Sequence, residues 1–280
     1  MVARRLVRLW KRFERYPGWI GYQSTHTGKS GCEAVLSQFQ PRGGGRDRHG
    51  EVNAGSETVM SDGTIDPSLQ SAIDALAVPG LLIGHRVISQ GDELALLHEE
   101  IASLSFPAIE RRRASGAARR VARELMKSMG FAGLPILRST SGAPIWPAGV
   151  VGSMAHDDRI AVAAVGLRRD LDAIGIDIEP AAPLQPDILE LIVTPRERRE
   201  IANNPLGAKL LFAIKEAVYK AAYPLDNEFL DFQDIEVDLA GCRLATTRSG
   251  RTLALHWCVF SHVLVVATVK KTSMDYLPSS

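Results

Sequence analysis

From Asp66 onward, apolar residues recur in two rhythms, one near every third or fourth position and one in short alternating or continuous runs. The first rhythm predicts helices and the second strands. A short helix over 67–77 opens with Asp66 as cap and Pro67 at the first helical position. A strand over 81–89 follows, then helices over 95–104 and 110–129, the second ended by Gly130. After a connection rich in proline and glycine (Pro135, Gly142, Pro144, Pro147, Gly149), residues 150–153, 160–166 and 173–179 read as strands, the last stopped by Pro180. Helices over 186–193, 195–203 and 207–223 come next, the last ended by Pro224. Residues 235–239 and 253–269, the latter with an internal turn, finish the pattern as strands. Several strands follow one another directly, so the order predicts an α+β fold rather than a doubly wound parallel sheet.

The first 65 residues differ. Residues 1–16 carry Arg4, Arg5, Arg8, Lys11, Arg12 and Arg15, with Leu6, Trp10 and Phe13 at helical spacing. That is the pattern of a basic amphipathic helix, which lies on an anionic membrane or serves as a transit peptide. Residues 41–50 (PRGGGRDRHG) read as loop or disorder. The expectation is a variable, disordered basic leader over 1–65, an α+β half over 66–168, a second over 169–272 and a tail over 273–280. Thr27-Gly28-Lys29-Ser30 ends like a phosphate-binding Walker loop. Gln23 stands where that loop needs glycine, and no apolar strand precedes it, so the loop is excluded.

Composition narrows the picture. Of 280 residues, 45% are hydrophobic, enough for one sizeable core or two small ones. Lys and Arg total 33 against 32 Asp and Glu, a net charge of +1, so general affinity for nucleic acid or membranes is not expected. Any phosphate or acidic partner needs a local patch. Cys32, Cys242 and Cys258 are widely spaced, which fits a reducing cytoplasm and neither a disulfide framework nor a zinc site. The apolar stretch 263–269 falls far short of the roughly 20 residues a membrane helix needs. A soluble, cytoplasmic protein is expected.

Four elements carry candidate chemistry. In Gly175-Ile-Asp-Ile-Glu179, strand alternation puts Asp177 and Glu179 on one face and Ile174, Ile176 and Ile178 on the other. Two like charges there either pair with lysines or hold a hard divalent cation such as Mg2+. In Phe212-Ala-Ile-Lys-Glu-Ala-Val-Tyr-Lys-Ala221, Glu216 and Lys220 are i,i+4 neighbours beside Tyr219. An ordinary surface ion pair is one meaning, but the helix is otherwise almost wholly apolar from Leu210 to Ala222 and should be largely buried. Glu216 would then add a third carboxylate, with Lys215 and Lys220 ready for phosphates. His156, in the segment Gly152-Ser-Met-Ala-His-Asp-Asp-Arg159 between two strands, is either a satisfied loop histidine or a phosphate-binding or acid–base group. Arg111, Arg112, Arg113, Arg119, Arg120 and Arg123 form either a solvated helix face or a cationic stripe able to grip a polyanion.

Taken in order, these elements resemble the 4'-phosphopantetheinyl transferase family, of the enterobactin-synthase or surfactin-synthetase-activating type. Residues 175–179 match its GxDxE motif, 212–221 its FxxKExxYKA motif and 153–156 its SxxH loop. Residues 142–149 (GAPIWPAG) and 229–232 (FLDF) are also typical, and the resemblance covers roughly 68–268. It implies two similar α+β halves related by a pseudo-twofold, dividing near 165–172, with the active site between them. It implies an enzyme that moves the 4'-phosphopantetheine arm of coenzyme A to a serine of an apo acyl, peptidyl or aryl carrier protein, leaving adenosine 3',5'-bisphosphate. It places Mg2+ on Asp177, Glu179 and Glu216, and makes Glu216 the candidate base. Lys220 would neutralise the leaving group, while Lys215, His156, Arg113 and Arg120 would contact coenzyme A phosphates. Carriers of non-ribosomal peptide, polyketide, siderophore or fatty-acid assembly are the implied partners, and the implied state is a monomer. Ala155 departs from the family's serine before the histidine, and Arg119 from its glycine before arginine. The competing reading is a catalytically inactive coenzyme A-binding protein, against which stand the three intact carboxylates and both lysines.

Overall fold

The computed structural model describes residues 64–104, 108–239 and 243–271. Residues 1–63 of the basic leader expected over 1–65, with its Walker-like segment and Cys32, lie outside them, as do Cys242 and residues 272–280, which include the expected tail. Asp66 caps the first helix, α1 (Pro67–Leu76), its Oδ1 accepting the amide hydrogens of Ser68 and Leu69 at 3.0 and 3.1 Å. The chain continues through β1 (Leu81–Val87), a 3-10 turn (Asp92–Ala95), α2 (His98–Ser103) and α3 (Ile109–Ser128). A two-residue hairpin, β2 (Leu137–Arg138) and β3 (Pro144–Ile145), leads into β4 (Val150–His156), β5 (Ile160–Leu167) and β6 (Leu171–Pro180). Helices α4 (Pro186–Ile192), α5 (Pro195–Glu200) and α6 (Gly207–Asp226) follow. Strands β7 (Ile235–Asp238), β8 (Leu244–Thr247), β9 (Thr252–Val259) and β10 (His262–Lys270) complete the α+β fold.

Two antiparallel sheets organise these elements, one of order β1-β5-β4 and one of order β6-β10-β9-β8-β7. They share a core in which Ile160, Val162 and Ala164 of β5 meet Ile174, Ile176 and Ile178 of β6 and Leu264 and Val266 of β10. The outer face of β5 packs Ala163 and Val165 on Val121, Ala122 and Met126 of α3. The outer face of β10 packs Val263, Val265 and Ala267 on α6. Both strands are thus covered on two faces, which is why their sequences are apolar at nearly every position instead of alternating.

The helix expected over 95–104 begins only at His98, after a separate 3-10 turn that ends at Ala95. The buried Asp92 carboxylate bonds Arg86 Nε and the Ser89 amide, both at 2.8 Å, and holds a 3-10 turn first. Helix α3 lies against that turn at Gly116, where a Cβ would come within 2.0 Å of the Asp92 carbonyl oxygen. Pro224 does not end α6. It falls in the last turn, where one lost backbone bond is tolerated, and Asn227 closes the helix at φ +49°. The β2–β3 hairpin lies in what reads as plain connection, and β8 was not foreseen: two residues per strand, or a run as polar as LATT, show little period.

Candidate active site

Strand β6 sends Ile174, Ile176 and Ile178 into the core between the sheets and turns Gly175, Asp177 and Glu179 toward α6. A Cβ on Gly175 would lie 1.8 Å from the Ala217 carbonyl oxygen and 3.0 Å from the Ala221 amide nitrogen. Bare backbone at that one position lets α6 settle on β6. The close approach delivers Lys220, whose Nζ donates to Asp177 Oδ1 at 2.6 Å and to the Ile176 carbonyl at 3.2 Å. One helical face also carries Lys209, 1% exposed, whose Nζ reaches Glu179 Oε2 at 3.1 Å and lies 5.6 Å above the Phe212 ring. Glu216 projects into the same region, within electrostatic reach of Asp177, Glu179 and Lys220.

Three carboxylates face two ammonium groups here, and burial makes the excess negative charge expensive. Burial raises the proton affinity of Asp177 despite Lys220. Burial and the Asp177 charge push Glu179 up to about 7, against the pull of Lys209. Burial likewise pushes Glu216 up to about 7, opposed by Lys220 and assisted by Asp177. Burial alone would lower Lys220, but the Asp177 and Glu216 carboxylates outweigh it and raise its pKa. His156 ends β4 on the exposed side of the strand, with Ser153 and Ala155 turned inward. Its surface is open, yet protein crowds around it, and that crowding together with the Lys220 charge lowers its pKa. His156 acts in turn on Asp177.

The donor set suits a hard divalent cation. The candidate donors are carboxylate oxygens, and Asp177 Oδ2 is buried with no hydrogen-bond partner among the described residues. Among those residues no group of three or more His, Cys, Asp or Glu is placed to hold a metal ion, and both strand carboxylates are engaged by lysines.

Two parts of the sequence expectation change. Lys215 does not face the carboxylates. Its ammonium group is fully buried and donates to Glu197 Oε2 and the Ile192 carbonyl at 2.8 Å and to the Phe232 carbonyl at 2.9 Å. All three of its hydrogens are engaged, which removes it from the phosphate-binding set. The arginine stripe on α3 is not a free cationic surface either. Arg119 is buried and donates to the Ile136 carbonyl and Ser115 Oγ. Arg123 grips the fully buried Glu100 carboxylate and the Ala95 carbonyl. Arg113 pairs with Glu93 at 3.0 Å, and Arg120, well exposed, with Glu124 at 3.1 Å. Lys209 went unnoticed although a signal existed. At 3.6 residues per turn, positions 209, 216 and 220 fall within about 20–40° of one another on the helix, whereas 215 and 220 are about 140° apart.

Among the described residues no helix is long and apolar enough to cross a membrane. Two family models match the chain, the 4'-phosphopantetheinyl transferase N-terminal domain over residues 99–166 and the 4'-phosphopantetheinyl transferase superfamily over residues 173–274. The 4'-phosphopantetheinyl transferase Svp of Streptomyces mobaraensis is 39% identical over 155 residues, which cover 52% of this chain and 62% of the relative. The 4'-phosphopantetheinyl transferase PptT of Mycobacterium tuberculosis is 34% identical over 148 residues, 51% of this chain and 65% of the relative. Enterobactin synthase component D of Escherichia coli K12 is 31% identical over 129 residues, 44% of this chain and 60% of the relative. The matched segment spans less than two thirds of each of these relatives.

Proposed function

The chain belongs to the 4'-phosphopantetheinyl transferase superfamily, and from that premise we propose that it transfers the 4'-phosphopantetheine arm of coenzyme A to a serine of an apo carrier protein, with Mg2+. The observation that carries this reading is the meeting of Asp177, Glu179 and Glu216 with Lys220, where α6 closes on β6 over Gly175. Asp177, Glu179 and Glu216 would hold the Mg2+. When bound, that ion supplies positive charge to the pyrophosphate of coenzyme A.

The remaining work falls to side chains. The serine hydroxyl oxygen forms a new bond to the β-phosphorus of coenzyme A while the bond from that phosphorus to the leaving adenosine 3',5'-bisphosphate breaks. Glu216 would accept the serine proton. Lys220, held charged by its acidic neighbours, would neutralise the departing phosphate oxygen. His156 would add a hydrogen bond to a coenzyme A phosphate. Arg113 and Arg120 would serve the nucleotide end, Arg113 only after exchanging Glu93 for phosphate.

The test is intact-mass spectrometry of apo carrier proteins incubated with the enzyme, coenzyme A and Mg2+. A gain of about 340 Da that requires Mg2+, Asp177 and Glu216 supports the reading. No gain with several carrier classes, despite coenzyme A binding, would leave a binding protein without transferase activity.

A further inference from the structure

A second polar link joins the two sheets beside this site, and none of the sequence motifs points to its partners as a pair. His262 is the first residue of β10, opposite Pro180 at the end of β6; the next register pair is Val263 with Glu179. Its Nε2 lies 2.9 Å from Asp157 Oδ2, and the two side chains are 8% and 9% exposed. Asp157 belongs to the turn between β4 and β5, in the other sheet. Its Oδ1 accepts the amide hydrogens of Arg159 and Ile160, both at 2.7 Å, which fastens the turn. Among the described residues its Oδ2 has no aligned hydrogen-bond donor, and the contact with His262 is one of distance and charge.

We infer that His262 is a positioning residue for the proposed transferase site: through Asp157 it holds the β4–β5 turn, and with it His156, against the end of β6 that carries Asp177 and Glu179. The inference rests on the proposed contact between His156 and a coenzyme A phosphate. Contacts on both ring nitrogens hold the imidazole. Nε2 lies against the Asp157 carboxylate, and Nδ1 shares a hydrogen bond with the Ser261 hydroxyl, 2.9 Å away. The Phe260 ring packs at a centroid distance of 5.6 Å and restricts rotation. Burial alone would raise the Asp157 pKa, but His262 and the two amides outweigh it and hold the carboxylate charged.

Two backbone amides already suffice to shape a tight turn. A charged carboxylate with its second oxygen spent across the gap between sheets is costly to bury, and what it adds is a fixed distance between them. His156 is the residue immediately before Asp157, the last of β4, so a shift of the turn moves the imidazole directly. Losing one well-placed hydrogen bond to a charged phosphate costs about tenfold or more in affinity.

The experiment uses the full chain with H262F, H262Q and H156A. Coenzyme A affinity is read by calorimetry, KM and kcat with an apo carrier protein, and the His156 ring by its nitrogen NMR signals. H262F should raise Kd and KM for coenzyme A about tenfold with little change in kcat, and shift the His156 signals. H262Q, whose amide places an N–H near the original Nε2, should recover most of the affinity. If H262F does not fold, D157N replaces it, because it keeps Oδ1 for the turn and loses the charge facing His262. A folded H262F or D157N with wild-type affinity and unmoved His156 signals overturns the inference. An H156A variant that binds coenzyme A as tightly as wild type sinks the phosphate contact instead.

Discussion

Replacing Lys215 by methionine separates the two lysines of the α6 motif. The ammonium group is fully buried and its partner Glu197 is 1% exposed. Glu197 also accepts the Thr194 amide on Oε2 at 2.8 Å and the Val237 amide on Oε1 at 3.0 Å. Methionine fills most of the volume but leaves that carboxylate without a counter-charge and the Ile192 and Phe232 carbonyls without a donor. Breaking one side of a buried ion pair costs about 3–5 kcal/mol. At about 2–4 °C per kcal/mol for a domain of this size, the melting temperature should fall by roughly 10 °C. K215M with E197Q should recover much of the loss, because the pair is then removed together. Thermal unfolding followed by circular dichroism gives the first quantity. Coenzyme A titration well below the melting point gives the second, and it should stay near the wild-type value. A K215M protein that melts like wild type yet loses coenzyme A affinity tenfold or so would refute this reasoning and return Lys215 to the phosphates.

Three further outcomes follow from the same geometry. G175A should lose at least about 3 kcal/mol, since its Cβ meets helix backbone and not a movable side chain; unchanged melting and activity would show that α6 has room to move. Glu179 and Glu216 hold protons up to about 7 in the folded chain, against an ordinary glutamate value of 4.5. In that window the folded state binds more protons than the unfolded one, so stability without a divalent cation falls as pH rises from about 4.5 to 7 and stays reduced above it. E216Q should flatten that slope and gain about 1–2 kcal/mol at pH 8 after allowance for its solvent-touched edge; melting curves across pH that match wild type would count against the crowded-carboxylate picture. R120A, which loses only an exposed i,i+4 pair, should change stability by less than about 0.5 kcal/mol. A weaker coenzyme A affinity at unchanged melting temperature would place Arg120 at the nucleotide, and an unchanged affinity would remove it.

Much of this fold was legible because its elements keep clean periods. Asp66 and Pro67 announce α1, and the doubly covered β5 and β10 stand out as unbroken apolar runs. What failed was local chemistry acting across distance. The Asp92 carboxylate, three residues from the Ser89 amide it binds, holds a 3-10 turn that apolar spacing does not announce. Arg123 reads as surface charge until Glu100, 23 positions earlier, proves to be buried beneath it. A one-dimensional pattern records which residues share a face, and it cannot record what the opposite face supplies.

The site shows the same division more sharply. Period two puts Asp177 and Glu179 together, and period 3.6 puts Glu216 with Lys220, so each half of the constellation follows from its own element. The same arithmetic separates Lys215 from Lys220 and aligns Lys209 with both Glu216 and Lys220, so the misassigned lysine and the overlooked one were both within reach of the helical angle. Joining the halves requires a fact of another kind. Gly175 must lack a side chain for α6 to lie on β6, and a glycine in a strand gives no sign of what approaches it. The Asp157–His262 link is further removed still, since its partners are 105 positions apart and belong to different sheets. Sequence reasoning therefore reaches the chemistry of each element, and the placement of one element on another has to come from the packed structure.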